Sequence, residues 1–368
     1  MRKGWEYKSF ETCINKLPKA KQVKTSEYSS GTKYPIISQE DKLISGYYDD
    51  ESYVFHIDSP VVIFGDHTRV LKYVDFDFVV GADGVKIISP QKDLNAKFLL
   101  YYLQWYKIPN LGYSRHYKLL KEINIPLPPK STQLAIVSEL DKINELIRLK
   151  KEQLKDFDNL AQSLFYEMFG DPAENEKGWE VKKLGEIGEV KTGNTPSRSN
   201  DNFYNEKFIE WIKTDNIRNE QMNPTTAAEY LSREGAECGR IVSKGSILVA
   251  CIAGSLSSLG KCCITTKNVA FNQQINAITP YGDFCNSIYL YELIRNSYKY
   301  IQQNATTGMK HILSKSIFEK MKFPFPPLPL QRLFAQRIEQ IEREKSEVQK
   351  SIQDLETLLA SRMQYWFE

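Results

Sequence analysis

The chain has 368 residues, a formal net charge of +3 and a hydrophobic fraction of 41%. This length is sufficient for two or three domains with hydrophobic cores, and the composition is that of a folded rather than a disordered protein. No apolar run approaches the ~20 residues that span a bilayer, and the N-terminus lacks the apolar core of a signal peptide. We therefore expect a cytoplasmic protein without a membrane partner. The small net charge also argues against a protein that holds nucleic acid by phosphate contacts alone.

Catalytic and metal-binding signatures are missing from the sequence. The six cysteines show no CxxC spacing, and the four histidines form no HExxH or other paired pattern. Residues 254–262 approach a P-loop, but one residue too many separates the glycines, and Cys262 stands where Ser or Thr would bind magnesium. No Asn-Pro-Pro-Tyr-like tetrapeptide of a DNA amino-methyltransferase occurs. We expect reduced thiols and no catalytic residue, metal or cofactor in this chain.

Residues 1–127 predict a first head of mixed strands and helix. Short β-type runs separated by turns precede one apolar helix. The predicted strands are residues 34–38, 53–57, 60–64, 76–80 and 85–89, and the predicted helix is 98–107. Two polar loops, FGDHTR at 64–69 and GYSRHY at 112–117, combine basic and aromatic groups that suit nucleic acid. The candidate DNA contacts of this head are Lys33, His67, Arg69, Tyr113, Arg115 and His116.

Residues 128–170 predict a long spacer helix. Pro126, Pro128 and Pro129 hold the chain extended and prevent a helix before about residue 130. Apolar residues then recur at alternating steps of four and three, which predicts one seam packed as a coiled coil. The predicted seam includes Ile136, Leu140, Ile143, Ile147, Leu154 and Phe157, and Lys150 interrupts it.

Residues 171–325 predict a second head of the same kind. Its strands are predicted at residues 208–213, 246–252, 261–265 and 275–279, and its helix at 287–301. The loop TGNTPSR at 192–198 and the amide-rich segment NQQIN at 272–276 carry side chains that could read base edges. The candidate DNA contacts of this head are Thr192, Asn194, Thr195, Ser197, Arg198, Gln273, Gln274 and Lys310.

Residues 326–368 predict a second spacer helix with the same spacing. Its seam includes Phe334, Ile338, Ile341, Val348, Ile352 and Leu355. Lys345 and Arg362 interrupt this seam, and buried polar seam positions often fix register and partner.

The chain repeats itself over nearly its whole length. IPLPPKSTQ at 125–133 returns as FPFPPLPLQ at 323–331, and Gly4-Trp5 returns as Gly178-Trp179. If the second head is compact, it joins the end of one helix to the start of the other, so the helices must run antiparallel. We expect an α+β fold in which two similar β-rich heads are separated by an antiparallel coiled coil with a pseudo-two-fold axis.

The polar loops also have an ordinary explanation. Each could be a surface turn whose polar groups bond the backbone. Their recurrence in both heads favours a nucleic-acid contact.

The order of these motifs resembles the specificity subunit of type I restriction–modification systems. The two Pro-rich lead-ins ending in Gln, the Gly-Trp starts, and the TGNTPS, NQQINAI and FGDHTR segments are similar to that family. The first head departs from it, because KTSEYSSGTKYP at 24–35 replaces the TPS-type loop.

The resemblance implies that the heads are target recognition domains for the two different halves of a bipartite, asymmetric site on double-stranded DNA. The helices would space the half-sites and dock two methyltransferase subunits, which bring S-adenosylmethionine. Motor-nuclease restriction subunits, with ATP and magnesium, would join them. The chain itself would be non-catalytic.

Two other classes of function stay open at this point. A two-headed protein–protein adaptor would show no salt-dependent, sequence-selective DNA binding. A self-contained enzyme with an unrecognised site would methylate DNA on its own with S-adenosylmethionine.

Overall fold

The computed structural model describes residues 4–31, 33–112, 114–218, 221–306, 308 and 310–368. The chain divides into two compact units, one of residues 1–152 with 349–368 and one of residues 153–348. Each unit therefore holds one head together with part of each long helix.

The first head consists of short strands. They are β1 (Glu6–Ser9), β2 (Tyr34–Ile37), β3 (Gly46–Tyr48), β4 (Val54–Phe55), β5 (Val61–Gly65), β6 (Leu71–Val74), β7 (Phe78–Val80), β8 (Val85–Ile88) and β9 (Asn124–Leu127). They form sheets in the orders β3-β2-β7-β4 and β6-β5-β8, and β1 pairs with β9. β2 and β7 run parallel. Every residue of β5 is buried, so this strand lies at the centre of the head.

Helix α1 (Ala96–Tyr106) covers the sheet that contains β5 and β6. The Asn95 side chain caps it by accepting a hydrogen bond from the Phe98 N–H at 3.0 Å. Phe10, Phe64 and Phe98 are fully buried in the core that this helix closes. A short helix, α2 (Tyr117–Leu120), follows before β9.

Helix α3 (Lys130–Phe169) begins directly after Pro129. The start agrees with the proline argument, because a residue that precedes proline is kept out of the helical region. The helix ends at Gly170, whose φ of +78° belongs to the left-handed region that glycine adopts without strain.

The second head also consists of short strands. They are β10 (Glu180–Lys183), β11 (Gly188–Thr192), β12 (Ile209–Ile212), β13 (Tyr230–Leu231), β14 (Ile241–Val242), β15 (Ile247–Ala250), β16 (Ile252–Ala253), β17 (Cys262–Ile264), β18 (Val269–Phe271), β19 (Ile275–Pro280), β20 (His311–Ile312) and β21 (Lys322–Phe325). Their sheet orders are β11-β19-β15-β17, β13-β12-β18-β14, β10-β21 and β16-β20. β12 and β18 run parallel, as β2 and β7 do in the first head.

The helices of the second head are short. They are α4 (Leu184–Ile187), α5 (Arg233–Cys238), α6 (Ser287–Asn296), α7 (Tyr298–Gln303) and α8 (Lys315–Lys320). The chain then enters α9 (Leu328–Phe367), with Pro329 in the first turn, where a missing N–H costs nothing.

Within each unit the two long helices run antiparallel. In the first unit, Lys151 pairs with Glu356 at 2.8 Å, while Glu139 bonds Arg362 and Trp366 further along α9. In the second unit, the Asp158 carboxylate lies 3.1 Å from Lys345 Nζ, and the ring centroid of Phe169 lies 5.1 Å from that of Phe334. In both units, later residues of α3 contact earlier residues of α9, as an antiparallel pair requires.

The predicted seam positions lie on the inner faces of these helices. Those that are buried are Ile136, Leu140, Ile143, Ile147, Phe334, Ile338, Ile341, Val348 and Ile352. Those that are half-buried are Leu154, Phe157 and Leu355.

The two cations that interrupt the second seam are both paired with acids. Lys345, whose side chain is 13% exposed, contacts Asp158 and Glu342. These bonds raise the pKa of Lys345 against the opposing effect of burial. Arg362 bonds Glu139 and lies over the rings of Tyr365 and Trp366. Each unit thus holds its helix pair with a different ion pair.

The glutamine of the repeated Pro-Pro and Gln motif makes the same set of three hydrogen bonds in both units, which we call the glutamine lock. Gln133 Oε1 accepts from the Asn95 N–H at 2.8 Å, and its Nε2 donates to the carbonyls of Asp93 and Pro128 at 2.8 and 3.0 Å. Gln331 Oε1 accepts from the Asn286 N–H at 2.9 Å, and its Nε2 donates to Phe284 and Pro326 at 3.3 and 2.8 Å. Both glutamines are buried. Each therefore ties the start of its long helix to the cap of the head helix, α1 or α6.

The structure corrects the prediction of one helix at 287–301. The chain forms α6 and α7 there, separated at Ser297. The ribbons β1-β9 and β10-β21 were not predicted, although the prolines before the first long helix indicated an extended chain there. Proline is accepted because each strand has only one neighbour in its ribbon.

Candidate nucleic-acid interface

Three loops of the first head are tied together by hydrogen bonds. The loop after β5 joins the loop after β2: Gln39 Oε1 accepts from the His67 N–H at 3.2 Å, and Thr68 Oγ1 donates to the Gln39 carbonyl at 2.6 Å. Lys72 Nζ lies beneath the second loop and donates to the carbonyls of Ser38 and Lys42. Burial lowers the pKa of Lys72, so holding this charged group beneath the loop has an energetic cost.

His116 ties the third loop to the first two. Its ring is fully buried, Nδ1 bonds the Asp66 carbonyl at 2.9 Å, and Nε2 accepts from the Leu111 N–H at 3.0 Å. The Asp66 carboxylate accepts from the Tyr117 N–H at 2.7 Å. The expectation that His116 contacts DNA is therefore corrected.

Arg69 also connects loops. Its backbone has a φ of +63°, and its Nη1 donates to the Ile108 carbonyl at 3.2 Å. The side chain is half-buried between the loop after β5 and the segment after α1. Its remaining donors are the part of this residue that could contact nucleic acid.

The other candidates of the first head differ in exposure. Lys33 and Arg115 are exposed, and His67 is half-buried. Tyr113 lies outside the described residues. Arg115 is thus the guanidinium of this head that faces solvent most openly among the candidates.

The TGNTPSR loop of the second head is anchored through its own polar side chains. Thr192 Oγ1 donates to Asn276 Oδ1 at 2.6 Å. Asn194 Nδ2 donates to the Cys238 carbonyl at 2.8 Å, and its Oδ1 accepts from the Arg240 N–H at 2.7 Å. These two candidates therefore shape the loop, and the turn explanation applies to them.

Gly193 explains how closely this loop approaches the next segment. A Cβ built on Gly193 would lie 2.4 Å from the Phe271 carbonyl oxygen and 2.2 Å from that of Asn272. No larger residue fits there without a backbone shift. The loop is consequently held against residues 271–274, where Thr195 Oγ1 bonds Gln273 Oε1.

Arg198 ends this loop within a cluster of rings and charge. Its Nη2 lies 2.5 Å from Glu229 Oε2, and its Cζ lies 4.4 Å from the Tyr204 ring centroid and 4.8 Å from that of Trp211. Lys213 Nζ bonds the other oxygen of Glu229. The hydrogen bond from Lys213 and then that from Arg198 lower the pKa of the Glu229 carboxyl. The glutamate stays charged between two cations.

A cavity of about 440 Å³ lies beside Gln274. Ala250, Ile252 and Ala253 form apolar parts of its wall. Arg218 and Lys261 add two positive charges, and Asp215 adds one negative charge. Gln274 Oε1 accepts from Asn272 Nδ2 at 3.1 Å, so its amide N–H groups remain to serve the cavity. The two cations outnumber the one carboxylate, so this concave site suits a phosphate group.

The remaining candidates of the second head lie near these groups in the sequence. Ser197 and Gln273 are exposed, and Ser197 Oγ lies 2.8 Å from Ser199 Oγ. Lys310 is exposed and precedes β20, which pairs with β16 at the edge of the cavity.

Sequence reasoning missed several residues of the second head. They are Tyr204, Trp211, Lys213, Arg218, Glu229 and Lys261. Trp211 and Lys213 were read as parts of a strand, and Glu229 lies in no motif. Only the fold brings Tyr204, Trp211 and Glu229 to Arg198 and places Arg218 and Lys261 in the wall of the cavity.

Other types of site are not formed by the part of the chain that the structure describes. Among the residues that the structure describes, no group of three His, Cys, Asp or Glu side chains could hold a metal ion. No described helix combines the length and hydropathy needed to cross a membrane. The cysteines are free thiols, and burial raises the pKa of Cys251 to about 12.

Comparison with known proteins identifies the family. The chain matches the family described as the type I restriction modification DNA specificity domain twice, over residues 3–156 and 176–357. It is 26% identical to the EcoR124I/EcoR124II specificity subunit of Escherichia coli over 83% of this chain and 78% of that protein.

Two solved structures share the fold. The type I restriction–modification S subunit from M. genitalium has a TM-score of 0.60, at 15% identity, over 98% of this chain and 95% of that one. A chain from a study of complex assembly and conformational transition of the type I R-M system has a TM-score of 0.59, at 18% identity, over 100% and 98%.

These likenesses confirm the predicted fold class and internal duplication. The two family matches cover both heads and the greater part of both long helices. The chain belongs to the family of type I restriction–modification DNA specificity proteins.

Proposed function

We propose that this chain is the sequence-reading subunit of a type I restriction–modification complex. Its two heads bind the two halves of a bipartite, asymmetric site on double-stranded DNA. The antiparallel helices set the separation of the half-sites.

The observation that carries this proposal is the duplication of the frame with divergence of the loops. Gln133 and Gln331 make the same set of hydrogen bonds in the two units. The loops that these frames carry have different residues and different internal bonds. Two similar frames with unlike loops suit two unlike half-sites.

The proposed contacts follow from exposure and charge. In the first head they are Lys33, His67 and Arg115, with Arg69 contributing through the guanidinium N–H groups that form no bond among the described residues. In the second head they are Thr195, Ser197, Arg198, Gln273, Gln274 and Lys310, joined by Lys213, Arg218 and Lys261. Side chains of this kind bond DNA phosphates, which positions the protein on the duplex, or bond base edges, which selects the sequence.

Partners supply the chemistry in this proposal. Two methyltransferase subunits with S-adenosylmethionine modify the DNA, and motor-nuclease subunits with ATP and magnesium restrict it. The E. coli relative is named as a subunit of a type I restriction enzyme, and one solved relative comes from work on complex assembly. The chain itself reads DNA and scaffolds the complex without catalysis.

The runner-up is a two-headed protein–protein adaptor. Family membership and the basic cavity in the second head favour the DNA reader over it.

Methylome sequencing tests the proposal. Cells that express a cognate methyltransferase subunit are compared with and without this chain. A split, asymmetric adenine-methylated motif that depends on the chain is the expected result. An active methyltransferase and a folded chain that yield no new motif would support the adaptor instead.

A further inference from the structure

The guanidinium of Arg198 is held on several sides at once. Glu229 Oε2 bonds Nη2 at 2.5 Å, and the rings of Tyr204 and Trp211 lie 4.4 and 4.8 Å from Cζ. The side chain nevertheless remains 52% exposed. Its orientation is therefore fixed, while much of it still faces solvent.

The two rings are themselves pinned to the loop that carries Arg198. The Tyr204 hydroxyl donates to the Pro196 carbonyl at 2.6 Å, and Trp211 Nε1 donates to the Asn194 carbonyl at 3.2 Å. The loop, the rings and the guanidinium thus form one rigid unit. Little side-chain entropy is left to lose when such an arginine binds a ligand.

Charge decides which ligand suits this arginine. Glu229 offsets one of the two positive charges of Arg198 and Lys213, so the cluster attracts a phosphate less strongly than two unpaired cations would. A neutral base edge depends on hydrogen-bond geometry rather than on net charge, and the planar guanidinium matches the N7 and O6 acceptors of guanine in the major groove. Glu229 takes a hydrogen bond from Nη2, and the other guanidinium N–H groups form no bond that the described residues account for.

We infer that Arg198 is a preorganised reader of one guanine in the DNA site, and that Glu229 is the positioning residue that sets its orientation. This inference rests on the proposed function and names the base that one side chain recognises. Lys213, held on the other oxygen of Glu229, contributes a point charge beside the base contact.

The test uses 7-deazaguanine, which lacks the N7 acceptor but keeps Watson–Crick pairing. The chain is assembled with its methyltransferase subunits, and its Kd is measured on a cognate duplex. Each guanine of the methylated motif is then replaced in turn. Wild type should lose affinity about tenfold at one guanine, because a hydrogen bond from a charged donor is lost.

Arg198→Ala separates this contact from all others. The variant should show no further loss at that one guanine and an unchanged loss at any other sensitive guanine. Equal penalties in wild type and variant at every guanine would overturn the inference. A uniform loss of affinity in the variant, with the penalty intact, would make Arg198 a phosphate contact and would also overturn it.

Glu229→Gln tests the positioning role. Removal of a negative charge should leave non-specific affinity unchanged or higher, while the 7-deazaguanine penalty at the one position falls. Glu229→Asp should restore part of that penalty. A merely electrostatic Glu229 would shift affinity for all duplexes equally and leave the penalty intact, which would contradict its role here.

Failure of this inference differs from failure of the proposed function. A wild-type complex that binds all duplexes alike would remove both. A complex that selects its motif but shows no coupling between Arg198 and a guanine N7 would remove the inference alone.

Discussion

The two heads use their arginines in opposite ways. In the first head, Arg69 is half-buried and donates to the Ile108 carbonyl, so it ties two loops together. In the second head, Arg198 is half-exposed and is held by Glu229 and two rings, so it faces solvent in a fixed orientation. A basic residue in a loop is therefore not evidence of a DNA contact until its partners are known.

Beneath the loops the two heads are alike. The parallel pairs β2/β7 and β12/β18, the ribbons β1-β9 and β10-β21, and the two glutamine locks recur. The frame has been kept after duplication, and the loops have diverged.

The largest effect is expected at the helix seam. Ile143→Asp in the first unit and Ile341→Asp in the second each place a carboxylate at a site that is 8% or 7% exposed. We expect each to cost more than about 3 kcal/mol of unfolding free energy, because an unpaired charge is buried. Denaturant unfolding measures this. Leu146→Asp and Leu333→Asp, on exposed faces of the same helices, are the matched controls and should cost little.

The glutamine locks should respond equally in the two units. Gln133→Leu and Gln331→Leu each remove a buried amide and leave its backbone partners without it. We expect a loss of about 1–3 kcal/mol for each, with similar values because the bonds are the same. Thermal unfolding measures both, with the exposed Gln340→Leu as a control. A large loss at only one of them would contradict a shared frame.

Gly193→Ala should affect DNA binding by the second head. The added methyl would meet two backbone carbonyls, so the TGNTPSR loop must shift away from residues 271–274. We expect a loss of cognate affinity of at least ~1 kcal/mol, since the base contacts depend on loop position. Gly282→Ala is the control, because a Cβ there meets nothing within 4 Å and the residue lies outside the cavity of this head. Equal binding by both variants would show that the loop position is unimportant.

Arg69→Ala and Arg115→Ala should separate support from contact in the first head. Arg69→Ala removes a tie between loops and should lower both stability and DNA affinity. Arg115→Ala removes an exposed side chain and should lower affinity by about 1–3 kcal/mol with stability unchanged. Melting curves and Kd values on the same preparations decide between them. A stability loss in Arg115→Ala would refute the distinction.

The smallest effect is expected at the cavity of the second head. Lys261→Gln should weaken binding to all duplexes alike and reduce the salt dependence, the slope of log K against log salt, by about 1. Lys244→Gln removes an exposed charge from the same head outside the cavity and serves as the control. If both variants keep the full slope, the cavity does not hold a phosphate.

The sequence was most informative where a physical pattern repeats. The prolines before each long helix and the seven-residue spacing predicted α3 and α9. The position of the second head between the two helices predicted their antiparallel course. Strands such as β5 and β15 were found because continuous apolar runs mark buried strands.

The loops could not be predicted in the same way. Whether His116 faces DNA or the core depends on Asp66, which is 50 positions away in the sequence. The partners of Arg198, from Tyr204 to Glu229, come from separate strands and turns. The spacing of apolar residues along the chain carries no information about contacts between side chains that lie far apart in the sequence.

The central claim is that each head reads its own half of one site. The most direct measurement is the Kd of the assembled complex, wild type, Arg115→Ala and Arg198→Ala, on the cognate duplex and on duplexes with either half-site scrambled. Each variant should lose sensitivity to scrambling of one half-site only, and the two variants should affect opposite halves. If both variants lose sensitivity to the same half, or to both halves equally, the two heads do not read separately and the account is wrong.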